Sequence, residues 1–120
     1  MAKILFVGIH GTDYPTSATF PFVEAKCVIE AGHETGIILM MEAAPLFKDR
    51  IAAQVQGVGV PPLKELMDYL FARNVRISVC EPSGRALGVT EEDFTGKISG
   101  FGTSVDAAHA YAGYDRFVTF

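Results

Sequence analysis

At 120 residues the chain is the size of one domain, long enough to bury a real core and too short for a second. Its formal charge of −4, with basic residues scattered and no aromatic-basic cluster, leaves no electrostatic footprint for nucleic acid. A 49% hydrophobic composition and a mean hydropathy of +0.26 are high for a small monomer, so some apolar surface is expected to go into contacts between copies of the chain.

Met1-Ala2-Lys3 runs straight into an apolar strand, too short for a signal peptide, and no apolar run approaches a membrane span. A cytoplasmic protein without a membrane partner is the expectation. Two cysteines make no disulfide framework and read as reduced core residues or reactive thiols.

Ile4 to Ile9 is a nearly continuous apolar run, as in a parallel strand covered on both faces, and it ends at His10-Gly11-Thr12-Asp13. Gly8 and Gly11 match neither the dinucleotide nor the Walker fingerprint. After Pro15, Thr16 or Ser17 can cap a helix to about Ala31, with Gly32 as its stop. Phe20, Val23, Cys27 and Ala31 form its expected buried stripe, which makes Cys27 a small core residue.

Gly36 to Met41 is a second apolar strand, and Glu42 follows it at the carboxyl edge. Pro45 to about Val55 has a weaker helical pattern, and Gln56 to Val60 reads as a loop. Pro61-Pro62 opens the clearest helix, with Leu63, Leu66, Met67, Leu70 and Phe71 on one face. Val75, Ile77 and Val79 then alternate with polar residues in a strand that stops at Cys80-Glu81-Pro82.

Ser83 to Gly88 reads as a glycine-bounded loop, and Thr90-Glu91-Glu92-Asp93 has capping-box spacing. Lys97-Ile98-Ser99 suits a short edge strand. Thr103 to about Ala112 suits a last helix, capped through Asp106, packing Val105, Ala108 and Ala112 inward and leaving His109 partly exposed. Arg116 to Phe120 closes the chain as a strand. The alternation predicts a three-layer α/β sandwich around a mainly parallel, flavodoxin-like sheet of four to five strands with right-handed crossovers. Strands one and three are expected side by side, which would make His10 and Cys80 neighbours.

Gly32-His33-Glu34, the Pro62-Leu63-Lys64-Glu65-Leu66 helix start, Val79-Cys80 followed by Gly88-Val89-Thr90-Glu91-Glu92-Asp93, and a terminal aromatic strand together resemble the DsrE-like (YchN-like, DsrE/DsrF) proteins, over nearly the whole chain. That resemblance implies a flavodoxin-like sheet and a homo-oligomer, with a trimer or hexamer favoured over a dimer. It also implies a cysteine at the position of Cys80 that carries a persulfide and exchanges sulfur with donor and acceptor proteins. The relay members place arginines immediately before the glycine matching Gly88; here those positions are Ala86 and Leu87, with Arg85 one step earlier. Many relatives have a Gly-Val step where this chain has Glu42-Ala43-Ala44.

For such chemistry Cys80 must work as a thiolate, and an ordinary thiol has a pKa of about 8.5. The expected helpers are Arg85, His10 and the loop amides of Ser83 and Gly84; Glu81 opposes them. No metal or organic cofactor is required. His10, Glu42 and Cys80 are acceptable metal-ligand types without a spacing signature. Two alternatives stand beside sulfur transfer: Cys80 as an inert strand end, or a non-catalytic oligomeric module. The module would seat a small anion on His10, Gly11, Thr12, Glu42, Gly102 and Thr103, at the start of the last helix, or would bind a protein partner in the same crevice.

Overall fold

The computed structural model describes residues 1–120. Five strands, β1 (Lys3–Gly8), β2 (Glu34–Leu39), β3 (Ile77–Cys80), β4 (Ser99–Gly102) and β5 (Arg116–Thr119), form one sheet in the order β4-β3-β2-β1-β5, every pairing parallel. The helices are α1 (Pro15–Glu30), α2 (Asp49–Ala52), α3 (Leu63–Phe71), α4 (Glu81–Ala86) and α5 (Ser104–Gly113), with 3-10 segments at Met41–Phe47 and Glu91–Phe94. The expected α/β architecture is therefore present, with β2 rather than β3 beside β1. Because β2 intervenes, His10 and Cys80 are not neighbours across adjacent strands.

Side chains alternate between the two faces of a strand, and this parity sorts the core. Phe6, Ile37, Leu39, Ile77 and Val79 join a cluster of 20 buried residues with Phe22 of α1, Phe47, and Leu63, Leu66, Met67 and Leu70 of α3. This is the closed face. Leu5, Val7 and Ile38 point the other way and meet only Ala107 in a cluster of four buried residues, edged by Ala110 and Tyr111 of α5 and by Tyr114 just after it. That open face is covered by one helix.

Three local expectations are corrected. The buried residues of α1 include Ala18, Pro21, Phe22 and Ala25, so its inward stripe is rotated from the one expected; Cys27 is exposed. In α5 Ala107 is buried while Val105, Ala108 and Ala112 are exposed, because the helix covers only part of a sheet face. Ser83 to Ala86 lies in α4 rather than in a loop: Pro82 sits in its first turn, where a missing N–H costs no helical hydrogen bond. Both expected capping boxes are formed, Thr90 with Asp93 and Thr103 with Asp106. No helix is long and apolar enough to cross a membrane.

Candidate functional site

The same parity builds a pocket on the open face. Gly36, Ile38 and Met40 from β2 and its end, Arg76 just before β3, Ser78 and Cys80 on β3, and Gly102 of β4 line a space of about 400 Å³ roofed by Asp106, Ala107 and Ala110 of α5 and by Tyr114 just after it. In β4 the closed-face position is Phe101, paired in register with Val79, whereas Gly100 and Gly102 pair with Ser78 and Cys80. Residues without side chains thus occupy the open-face positions of β4, and Gly102 lines the pocket directly. Its size falls within the roughly 300–1,000 Å³ range of small-molecule sites.

The pocket runs along the strands. At the carboxyl edge stand the half-buried Cys80, Met40, Gly102 and Thr103; at the amino edge stand Gly36, Arg76 and Tyr114. Its charges are separated in the same sense. Asp106 lies beside Gly102 and accepts the Thr103 N–H at 2.8 Å. That hydrogen bond, with the Thr103 side chain second, holds its carboxyl below the usual range. Arg76 donates from Nε to Ser78 Oγ at 3.2 Å and has no carboxylate partner. Burial raises the Tyr114 phenol, Glu34 adds to the rise, and Arg76 offsets part of it.

The predicted site residues divide into three groups. Cys80, Gly102 and Thr103 come together in this pocket. His10, Gly11, Thr12 and Glu42 line a different crevice of about 500 Å³, with Asp13, Met41 and Leu87. There the His10 ring meets Tyr14 edge-on at 5.2 Å, and Gly11 packs against the Glu42 backbone carbonyl so closely that a Cβ would clash. Met40 faces the pocket and Met41 the crevice, so these two residues separate them. His10, Glu42 and Cys80 do not gather into a ligand set, and no three His, Cys, Asp or Glu side chains do.

The third group is committed elsewhere. Arg85 bonds Glu81 and Glu91, and its guanidinium carbon sits 4.5 Å from the Phe101 ring centroid. Glu91 first, then Glu81, raise its pKa, so its charge is neutralised outside the pocket rather than offered to Cys80. Ser83 Oγ accepts the Met41 N–H at 2.9 Å and fixes that residue, whose φ is 54°. Gly84 is buried, and a Cβ on it would lie 2.7 Å from Phe101 and 2.9 Å from Val79; it permits close packing of α4 on the sheet. The anion seat expected at the start of α5 is met by the chain's own Asp106 carboxylate, which takes the Thr103 amide. Arg76, Ser78, Asp106 and Tyr114 were not singled out as site residues from the sequence. Parity could have found the first two, since they fall on the same strand face as Cys80.

The DsrE/DsrF-like family model matches residues 2–120. The chain belongs to the DsrE/DsrF-like family. Among solved structures, the ychN protein from E. coli is similar over 100% of both chains, with a TM-score of 0.78 and 22% identity. A protein of unknown function from Methanobacterium thermoautotrophicum is similar over 100% of both chains, with a TM-score of 0.67 and 10% identity. These two likenesses carry the family fold. No curated protein matches the chain.

Proposed function

We propose that this DsrE/DsrF-like protein is a sulfur carrier, in keeping with the family's general association with sulfur relay, and that Cys80 holds the sulfur. The observation that carries the reading is the place of Cys80: half-buried, at the carboxyl end of an inner strand, on the wall of a pocket rather than in the core. Ligands of open parallel sheets collect at that edge. In the loading step the Cys80 thiolate attacks the outer sulfur of a donor persulfide. A new S–S bond forms on Cys80, the donor's S–S bond breaks, and its electron pair leaves on the donor thiolate. An acceptor thiolate then attacks the outer sulfur and returns the Cys80 thiolate. No net oxidant or reductant is consumed, and no cofactor is needed.

The carrier works, in this reading, as a homo-oligomer in the cytoplasm, with a trimer or hexamer favoured. Support for association comes from β5, an edge strand whose four residues are all exposed, including Phe117 at 54% and Val118 at 41%. An edge strand with unpaired backbone groups and exposed apolar side chains is a ready template for pairing with another chain.

The test is transfer. Protein loaded with radiolabelled sulfane sulfur and freed of donor should pass label to a small acceptor thiol, and Cys80→Ser should pass none. Equal transfer by Cys80→Ser would sink the proposal. A Cys80→Ser protein that folds as wild type, together with no transfer by either form, would favour a non-covalent binding module.

A further inference from the structure

The pocket has direction as well as volume. Asp106 places negative charge at the end where Gly102 pairs with Cys80, and the Arg76 guanidinium, free of any carboxylate bond, lies one pleat towards the amino edge beside Ser78 and Gly100, within electrostatic reach of Asp106. Between them the walls are Ile38, Ala107, Ala110 and the bare backbone of β4, which suit methylene groups. Ser78, which holds the Arg76 guanidinium, is one pleat from Cys80, roughly 7 Å along the strand. We infer that the pocket takes a short, unbranched organic carboxylate lengthwise, its carboxylate on Arg76 and its far end at Cys80. Resting on the sulfur-carrier reading, the substrate class is an acid of this kind with a terminal persulfide, the sulfur exchanged at Cys80 and the carboxylate acting as a handle.

The polarity fixes the orientation. A carboxylate turned to the Cys80 end would meet Asp106, whereas one pleat away, at Ser78 and Gly100, it gains a guanidinium that has free N–H donors and no competing carboxylate bond. Charge-assisted pairing of this type is about twice as strong as a neutral hydrogen bond. Gly100 borders the guanidinium: a Cβ there would lie 3.6 Å from an Arg76 Nη, so alanine is accommodated and a branched side chain presses on the group that would hold the carboxylate.

Hexanoate and hexanol, titrated into wild type, Arg76→Gln and Gly100→Val by calorimetry or NMR, test the assignment without sulfur chemistry. Wild type should prefer hexanoate, Arg76→Gln should weaken hexanoate by about tenfold or more and leave hexanol unchanged, and Gly100→Val should weaken both. Parallel exposure of wild type to inorganic polysulfide reads the sulfur step separately. Hexanoate binding without sulfur uptake would overturn the sulfur-carrier reading and uphold the pocket assignment. Sulfur uptake with hexanoate bound no better than hexanol, or equally well after Arg76→Gln, would overturn the assignment alone.

Discussion

The two faces of this sheet are built from the same strands and differ in nearly everything that alternate residues can change. On the closed face α1, α3, α4 and the segment from Met41 to Ala52 cover Phe6, Ile37, Leu39, Ile77 and Val79 in a cluster of 20 buried residues. On the open face α5 alone meets Leu5, Val7 and Ile38, and Ser78, Cys80, Gly100 and Gly102 extend the surface with polar, reactive or absent side chains. One face supplies stability and the other is left underfilled, so chemistry can be placed on β3 without sacrificing core contacts.

The largest effect that would break this contrast lies on the closed face. Phe22→Ala, at a fully buried position, should cost about 3–5 kcal/mol in denaturant unfolding. Gly84→Ala forces a Cβ against Phe101 and Val79 and should cost about 1–3 kcal/mol, with α4 displaced in the amide spectrum. Thr103→Ala removes the cap of α5 and should cost about 0.5–2 kcal/mol, with faster amide exchange confined to the roof of the pocket. Gly100→Val on the open face should change stability by no more than about 0.5 kcal/mol, as at a surface site. A cost equal to that of Phe22→Ala would show the open face to be a packed core after all.

A smaller effect concerns pH. Partial burial pushes the Asp93 carboxyl up, but the Thr90 backbone N–H and the Lys48 ammonium outweigh it, and the net shift is downward. With the folded pKa below the unfolded one, the carboxylate adds stability above the unfolded value, and that stability is lost as pH falls below about 4, through the folded pKa. Asp93→Asn should therefore lower stability at neutral pH and flatten the acid limb of a pH series of urea midpoints. An unchanged acid limb would contradict the assignment of that limb to Asp93.

Much of the closed face was legible in the sequence. The α3 stripe and the alternation of Val75, Ile77 and Val79 predict their own burial, because apolar periodicity records a face that must be covered. The capping boxes at Thr90 and Thr103 were equally readable from spacing. In α1 the pattern misleads: Phe20, Val23 and Cys27 are apolar on a second side, and the choice of inward side, Ala18-Phe22-Ala25, depends on which strands lie beneath. Strand order set the larger error. With β2 between β1 and β3, His10 falls in another crevice, and no local signal marks a neighbour that distant in sequence. The polar row Arg76-Ser78-Cys80 was present in the alternation of β3, but its meaning required knowing that one helix covers that face.

The most direct measurement is intact-protein mass spectrometry in a Cys27→Ser background, which removes the other, exposed thiol, after incubation with a sulfane-sulfur donor. The account predicts a gain of one sulfur atom on Cys80, reversed by a thiol reductant and absent once Cys80→Ser is added. No gain in the Cys27→Ser protein, or a gain that survives Cys80→Ser, would contradict it.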